Sequence, residues 1–245
     1  MLLWILGFSI LGSIGAIAGA ALLLVLPEGI RKVLVPYLVS YAAGTLLSAA
    51  FLGMIPAGLK QNPSLAITAT VLAGIVLFFV LEKLMLWRHC HDGQCEVHGQ
   101  AGPLILIGDA FHNFVDGLVI AAAFLTSIPL GIATSLAVIA HEVPQEVGDF
   151  AILLDNGYDN AKALMLNSLS AAATLPGAVL AYFWLGDMRE AVPYILALSA
   201  ASFIYIAVAD LIPGLHRQVS PAASLRQIAL LLAGIGTIAI FHHGG

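Results

Sequence analysis

The sequence predicts an all-α fold, a polytopic membrane bundle of about eight transmembrane helices. Of its 245 residues, 60% are hydrophobic and only 9% are charged, which is too little charge to cover a soluble domain. Mean hydropathy is +1.00. The hydrophobic residues fall in continuous blocks of about twenty, the length that crosses roughly 30 Å of hydrocarbon. A transmembrane barrel would instead show segments of about ten residues with alternating polarity.

Polar residues, Pro and Gly divide the chain into eight hydrophobic segments. The first, 3–26, has neither a basic start nor a small-residue cleavage pattern, so we interpret it as a retained span rather than a signal peptide. The connections are mostly short, which is typical of antiparallel neighbours in one bundle. We therefore expect one transmembrane domain over 1–245. The later segments run over 36–59, 64–87, 103–125, 129–154, 161–185, 191–213 and 223–241.

Glycines are expected to let several of these helices approach closely inside lipid. Gly12, Gly15 and Gly19 recur at short spacing in the first segment. Gly117 and Gly148 lie near the same level of the fourth and fifth segments.

The nine Lys and Arg residues set the expected orientation, because positive charge is retained in cytoplasmic loops. Seven lie in connections that follow odd-numbered segments, whereas Lys60 and Arg189 lie on the opposite side. We therefore expect both termini outside the cytoplasm. A short chain without extramembrane domains favours a bacterial inner (plasma) membrane as its location.

The fourth segment carries ionisable groups, each of which costs at least about 2.5–3.5 kcal/mol at membrane depth and so requires an explanation. It reads GDAFHNFVDG, in which Asp109, His112 and Asp116 are spaced i, i+3 and i+7. This spacing places the three side chains along one stripe of a helix. Asn113 lies one step round the helix, beside His112.

The fifth segment is equally polar and reads HEVPQEVGDF. His141 and Gln145 share one helical face at i and i+4, and Glu142, Glu146 and Asp149 share the adjacent face. Pro144 lies inside this helix and is expected to kink it.

Two imidazoles, several carboxylates and two amides on consecutive spans indicate a divalent transition metal. Imidazole with carboxylate oxygen suits Zn, Fe and Mn, whereas thiolate-rich sites select Cu(I) or structural Zn. A divalent cation would also offset the repulsion among buried acids. We expect Zn²⁺ or a similar ion as transported substrate in a lipid bilayer, with neither a cofactor nor a nucleic-acid partner.

HNFVDG and HEVPQE resemble the ZIP (Zrt-, Irt-like) family of metal transporters, in particular the subfamily with HNFxDG and HExPHE signatures. The stretches AAGTLLSAAFLGMIP and FIYIAVADLIP are also similar to the family's second and seventh spans. The resemblance implies eight spans, inward movement of divalent metal through a binuclear-type site and, often, a homodimer.

The resemblance also implies the ligands of two neighbouring ions. Around the first ion it predicts His112, Asp116, His141 and Gln145. At the second it predicts Asn113, Glu142 and the bridging Asp116. Together with Glu146, the candidate metal ligands are therefore His112, Asn113, Asp116, His141, Glu142, Gln145 and Glu146.

The sequence departs from the family pattern in two places. Gln145 stands where the subfamily has a second histidine, which puts zinc preference in doubt and adds iron, manganese or cadmium as candidates. The sixth segment reads NSLSAAAT and offers no carboxylate, so the second ion position is expected to be partial or absent.

The connection 88–102 is a His/Cys-containing loop expected in the cytoplasm. Its five metal-binding residue types fit transient metal capture where thiols stay reduced, and a solvated loop with incidental histidines is the alternative. They are His89, Cys90, His91, Cys95 and His98.

An intramembrane protease and a carrier of another cation are the two alternatives to metal transport. An intramembrane zinc metalloprotease would place HExxH on a buried helix, but His141-Glu142 is followed by Gln145 where the second histidine must stand. A proton-coupled carrier of another cation would use the acids as a relay. We expect a transporter and not an enzyme.

Overall fold

The computed structural model describes residues 1–89, 101–216 and 220–243, and within these ranges eight helical spans follow one another. Seven of them are long and apolar enough to cross a membrane. The eighth is the polar fifth span. The spans are α1 Leu2–Val25; α2 Glu28–Ser48, Ala49–Met54 and Ile55–Gln61; α3 Leu65–His89; α4 Ala101–Thr126; α5 Ile128–Asp155; α6 Asn160–Ala171 and Thr174–Asp187; α7 Val192–Tyr205, Ile206–Leu211 and Ile212–Leu215; and α8 Pro221–His243.

The prediction of an all-α membrane bundle is confirmed, and the differences lie at segment boundaries. The second span begins at Glu28 rather than at 36, because a charged but helical turn precedes its apolar part. Lys32 pairs with Glu28 at 2.5 Å one turn away, which supports that turn. The predicted metal capture by the loop 88–102 lies outside the described residues.

Local sequence signals fix the ends of α5. Ser127 accepts a hydrogen bond from the Leu130 amide at 3.3 Å, and so satisfies one of the free N–H groups at the helix start. At the other end Gly157 has φ +83°, and the Tyr158 amide donates to the Leu153 carbonyl at 3.1 Å. A glycine in this left-handed conformation is the usual end of an α-helix. Between these ends α5 is helical throughout, across Pro144.

Prolines account for three irregularities in the spans. Wide π turns at Ala49–Met54 in α2 and Ile206–Leu211 in α7 end shortly before Pro56 and Pro213. Because proline has no N–H and displaces the preceding turn, a helix can accommodate it by taking up a wider turn. In α6 a short turn at residues 172–173 separates the two pieces. Pro176 is the third residue of the second piece, and proline is tolerated in the first turn of a helix.

The polar fifth span lies at the centre of the bundle. α5 packs against α1, α2, α4 and α8, while α4 packs on both α5 and α6. The main apolar core occupies the end of the bundle where α4 connects to α5. In α4 it includes the completely buried run from Val119 to Phe124, and in α2 and α7 it includes Met54 and Phe203.

Glycines bring α4 and α6 into backbone contact. A Cβ on Gly117 of α4 would lie 2.0 Å from the Thr174 carbonyl oxygen, and one on Gly177 of α6 would lie 2.1 Å from the Phe114 oxygen. α4 and α6 therefore touch through reciprocal glycines. At Gly148, in contrast, no atom of another described element lies within 4 Å of such a Cβ, so the expected close approach holds for Gly117 alone of that pair.

Candidate metal centre

Four side chains, two from α4 and two from α5, converge at the middle of the bundle. They are His112, Asp116, His141 and Glu142, and one ligand atom from each lies within 4.8 Å of all the others. The two His Nε2 atoms are 3.2 Å apart. The i, i+4 spacing on α4 and the adjacent positions on α5 aim all four into the contact between the two helices.

Five separations between ligand atoms of this cluster, 3.2–3.8 Å, lie close to those of a tetrahedral metal site. Nitrogen and oxygen ligands bind Zn²⁺ at about 2.0–2.2 Å, so the ligand atoms of a tetrahedral ion lie about 3.3–3.6 Å apart. His112 Nε2 is 3.3 Å from Glu142 Oε1, and His141 Nε2 is 3.3 Å from Asp116 Oδ2 and 3.5 Å from Glu142 Oε1. The His112–Asp116 distance is slightly longer, at 3.8 Å.

His141 is held in the tautomer that a metal requires. Its Nδ1 lies 2.9 Å from the Ala137 carbonyl oxygen, which can only accept, so Nδ1 carries the hydrogen. The lone pair is then on Nε2, which faces the cluster. A hydrogen bond of this kind from the second ring nitrogen is a regular feature of metal-binding histidines.

The two carboxylates of the cluster lack the donors that a buried anion needs. Asp116 and Glu142 are 1% and 2% exposed, and none of their four side-chain oxygens has a hydrogen-bond partner among the described residues. Burying an ionised carboxylate without compensation is expensive. Two carboxylates and two neutral imidazoles carry a charge of −2, which one divalent cation would balance.

The amide candidates Gln145 and Asn113 belong to an adjoining hydrogen-bond network centred on Asp109. Gln145 Nε2 and Asn113 Nδ2 donate to Asp109 Oδ1 at 3.1 Å and 3.0 Å. The structure therefore brings four of the seven candidate ligands together and puts these two beside them. Their roles as ligands stay a prediction.

Glu146, the seventh candidate, is fully buried outside the cluster of four. Its side-chain oxygens have no hydrogen-bond partner among the described residues, and its exposed fraction is 0%. The nearby contact to α6 is made by its backbone, which accepts from Asn167 Nδ2 at 3.2 Å. Its role as a ligand also stays a prediction.

α6 contributes two hydroxyl groups that sequence reasoning passed over. Ser170 donates to Asp109 Oδ2, and Thr174 donates to Asn113 Oδ1 at 3.1 Å. They flank the break in α6. A signal was present, because both belong to the polar stretch NSLSAAAT.

A cavity of about 420 Å³ opens beside the cluster, between α3, α4 and α7. His112 reaches it and its side chain is 20% exposed, whereas the other three members of the cluster are at most 3% exposed. Tyr205 donates to Glu82 in its wall. Its lining includes Phe78, Glu82, Phe111, His112, Tyr205 and Asp210.

Comparison with known proteins yields one family model and several curated relatives. Residues 88–242 match the model described as ZIP Zinc transporter. The chain is 35% identical to Zinc transporter ZIP13 of Pongo abelii over 83% of its own length and 66% of the relative's. It is 29% identical to Zinc transporter SLC39A7 of Mus musculus, over 87% of the chain and 63% of the relative.

Zinc transporter ZIP4 of Homo sapiens matches a shorter region. It is 43% identical over 48% of the chain and 18% of the relative. The chain thus spans just under two thirds of the length of the Pongo and Mus relatives. All three relatives are named as transporters and none as a protease.

Proposed function

The chain belongs to the ZIP zinc transporter family, and on that premise we propose that it transports Zn²⁺ or a similar divalent transition metal across a membrane. The observation that carries this proposal is the cluster of His112, Asp116, His141 and Glu142. Most of its ligand atoms lie at separations close to those of a tetrahedral site, and its carboxylates have no hydrogen-bond partner among the described residues. In this proposal the metal is the substrate and passes through the cluster.

The donor set favours zinc while admitting other ions. Two imidazole nitrogens and two carboxylate oxygens suit Zn²⁺, and the same atoms suit Fe²⁺ and Mn²⁺. Gln145 offers an amide oxygen where a second histidine of the HExPHE pattern would add nitrogen. We therefore propose zinc as the principal substrate, with iron, manganese and cadmium as competitors.

The remaining candidates are proposed as weaker or alternative ligands. Gln145 is a fifth ligand through Oε1, and Glu146 is a nearby acid that the ion meets after leaving the cluster. Asn113 has both ends of its amide engaged, by Asp109 and by Thr174. A second ion at Asn113 would have to break these hydrogen bonds, which supports a single principal ion.

The direction of transport is proposed from charge and access together. The excess of Lys and Arg after odd-numbered spans favours termini outside the cytoplasm. In that orientation the apolar core lies on the outer side of the cluster, and the cavity beside His112 lies toward the inner side. We propose inward transport, with release to the cytoplasm through this cavity.

Location and assembly are proposed from the apolar helices and from the family. Seven apolar helices support an integral membrane protein, while a bacterial inner membrane stays a prediction, because the relatives named above are vertebrate. A homodimer is proposed from family membership. Cross-linking of the chain in native membranes tests it directly.

Uptake of ⁶⁵Zn²⁺ into proteoliposomes tests the proposed function. The wild-type chain should accumulate zinc, unlabelled Fe²⁺, Mn²⁺ and Cd²⁺ should compete to different degrees, and Asp116→Ala should abolish uptake. His216→Ala is the matched control, because His216 is an exposed histidine at the end of α7, away from the cluster. Zinc uptake that survives Asp116→Ala would contradict the proposed site.

A further inference from the structure

We propose that Asp109 is a positioning residue that orients the Gln145 amide so that its oxygen, and not its nitrogen, is available to the metal. This inference rests on the proposed function. It starts from the hydrogen bond between Gln145 Nε2 on α5 and Asp109 Oδ1 on α4, which is 3.1 Å long. It assigns a role to an acid that lies outside the cluster of four.

Asp109 is built to accept hydrogen bonds from three helices. It is 4% exposed, and its carboxylate accepts from Asn113 on its own helix, Gln145 on α5 and Ser170 on α6. An ionised carboxylate has no hydrogen to donate, so only the donor end of an amide can face it. Asp109 therefore determines which end of Gln145 points toward it.

The opposite end of Gln145 is left without a partner. Among the residues that the structure describes, no donor is hydrogen-bonded to Gln145 Oε1. Gln145 lies one helical turn after His141, on the face that points to the cluster. An amide oxygen can bind a divalent cation, whereas the NH₂ group has only hydrogens to present and repels it.

Hydroxyl groups of α6 reinforce this orientation. Thr174 donates to Asn113 Oδ1, so the Asn113 amide must also turn its nitrogen toward Asp109. Ser170 donates to the second Asp109 oxygen. The Asn113, Ser170 and Gln145 side chains are thereby each assigned one direction, and a flipped Gln145 would place two oxygens face to face.

A set of substitutions separates positioning from charge and from folding. Asp109→Asn removes the charge but keeps an oxygen that can accept from Gln145, whereas Asp109→Leu removes charge and acceptor at similar size. Each is made in the wild-type and in the Gln145→Glu background, where both ends of residue 145 are oxygen. Zn²⁺ and Mn²⁺ affinities are measured by calorimetry on the purified full chain, and thermal unfolding is recorded without metal.

Positioning predicts a specific pattern in these affinities. Asp109→Leu should weaken binding roughly 10- to 100-fold, the usual cost of losing an outer hydrogen bond to a ligand, and Asp109→Asn should retain most of the affinity. In the Gln145→Glu background Asp109→Leu should not weaken binding, because no amide remains to be oriented and the carboxylate at position 145 no longer faces that of Asp109. Asp159→Asn is the control for loss of an acid outside this network, at an exposed position at the start of α6, and it should retain the affinity.

Three results would overturn the inference while leaving the proposed function intact. They are wild-type affinity in Asp109→Leu, equal losses in Asp109→Asn and Asp109→Leu, and an undiminished loss in the Gln145→Glu background. The second result would indicate a charge effect and the third a folding effect. A wild-type chain that binds no metal, or a His141→Ala variant that binds as tightly as wild type, would instead overturn the proposed function and this inference with it.

Discussion

Substitution of Gly117 by alanine should separate α4 from α6 and destabilise the protein. The added Cβ would lie 2.0 Å from the Thr174 carbonyl oxygen and 2.7 Å from the Ala178 nitrogen. Both atoms are backbone, so no side chain can rotate out of the way. The helices must move apart by about 1 Å before the nearest contact reaches even the shortest separation that real Cβ atoms tolerate.

The cost follows from this forced displacement. Overpacking of a well-packed interior costs typically about 1–3 kcal/mol, and a clash with backbone belongs at the upper end of that range. For a chain of this size, about 3 kcal/mol corresponds to a fall in Tm of roughly 6–12 °C. Because Thr174 and Ser170 lie on the displaced helix, metal affinity should fall as well.

Gly148→Ala is the matched control for this substitution. Gly148 lies in the interior of α5 at an exposed position, and no atom of its packing neighbours in the described part of the chain lies within 4 Å of an added Cβ. Alanine is favoured over glycine in a helix by about 1 kcal/mol, so this variant should be as stable as wild type or slightly more stable. Thermal unfolding of both variants in detergent, followed by circular dichroism, makes the comparison. If Gly117→Ala unfolded at the wild-type temperature, the direct backbone contact between α4 and α6 would be refuted.

Three further predictions concern the metal itself. His141→Ala should abolish zinc uptake without loss of helical content, because alanine removes the Nε2 ligand and is itself a strong helix former; uptake at the wild-type rate would exclude His141 as a ligand. Gln145→His should tighten zinc binding and make Mn²⁺ a weaker competitor of zinc uptake, since imidazole replaces an amide oxygen. Unchanged selectivity in the uptake assay would mean that residue 145 does not contact the ion. Lowering the pH from about 7 to about 5 should weaken zinc binding, because protons compete with the metal for imidazole and carboxylate; a zinc titration that is independent of pH would contradict binding through these groups.

The spans could be predicted from the sequence because each is a local property of the chain. A block of apolar residues long enough to cross lipid is visible without knowledge of its neighbours. The start of the second span was predicted too late, because a hydropathy pattern does not detect a helical turn that carries charged residues such as Glu28 and Lys32. The break in α6 before Pro176 has a sequence signal, but its position depends on how α6 packs against α4.

The candidate site was predictable as a set of residues and not as an arrangement. Helical spacing places His141 and Gln145 on one face, yet residues four apart are also separated by about 6 Å along the axis. Side chains at this spacing can still converge, as His112 and Asp116 do on α4. On α5, in contrast, Glu142 joins His141 in the cluster, while Gln145 reaches Asp109. That outcome depends on the rotation and height of α4 relative to α5, which no single segment encodes.

The unequal exposure of the cluster bears on how an ion could pass. A channel needs a route to the site from both sides of the membrane, and a carrier needs a route from one side at a time. Here the cavity reaches the cluster at His112, whereas His141 is 1% exposed and lies with its ring edge-on to Phe203, 5.8 Å away, in the apolar core. A hydrated divalent ion crossing that core would meet alanine, leucine and phenylalanine side chains, which offer no ligand to replace its water. Passage to the other side therefore requires the helices around Phe203 to move, and this favours a carrier over a channel.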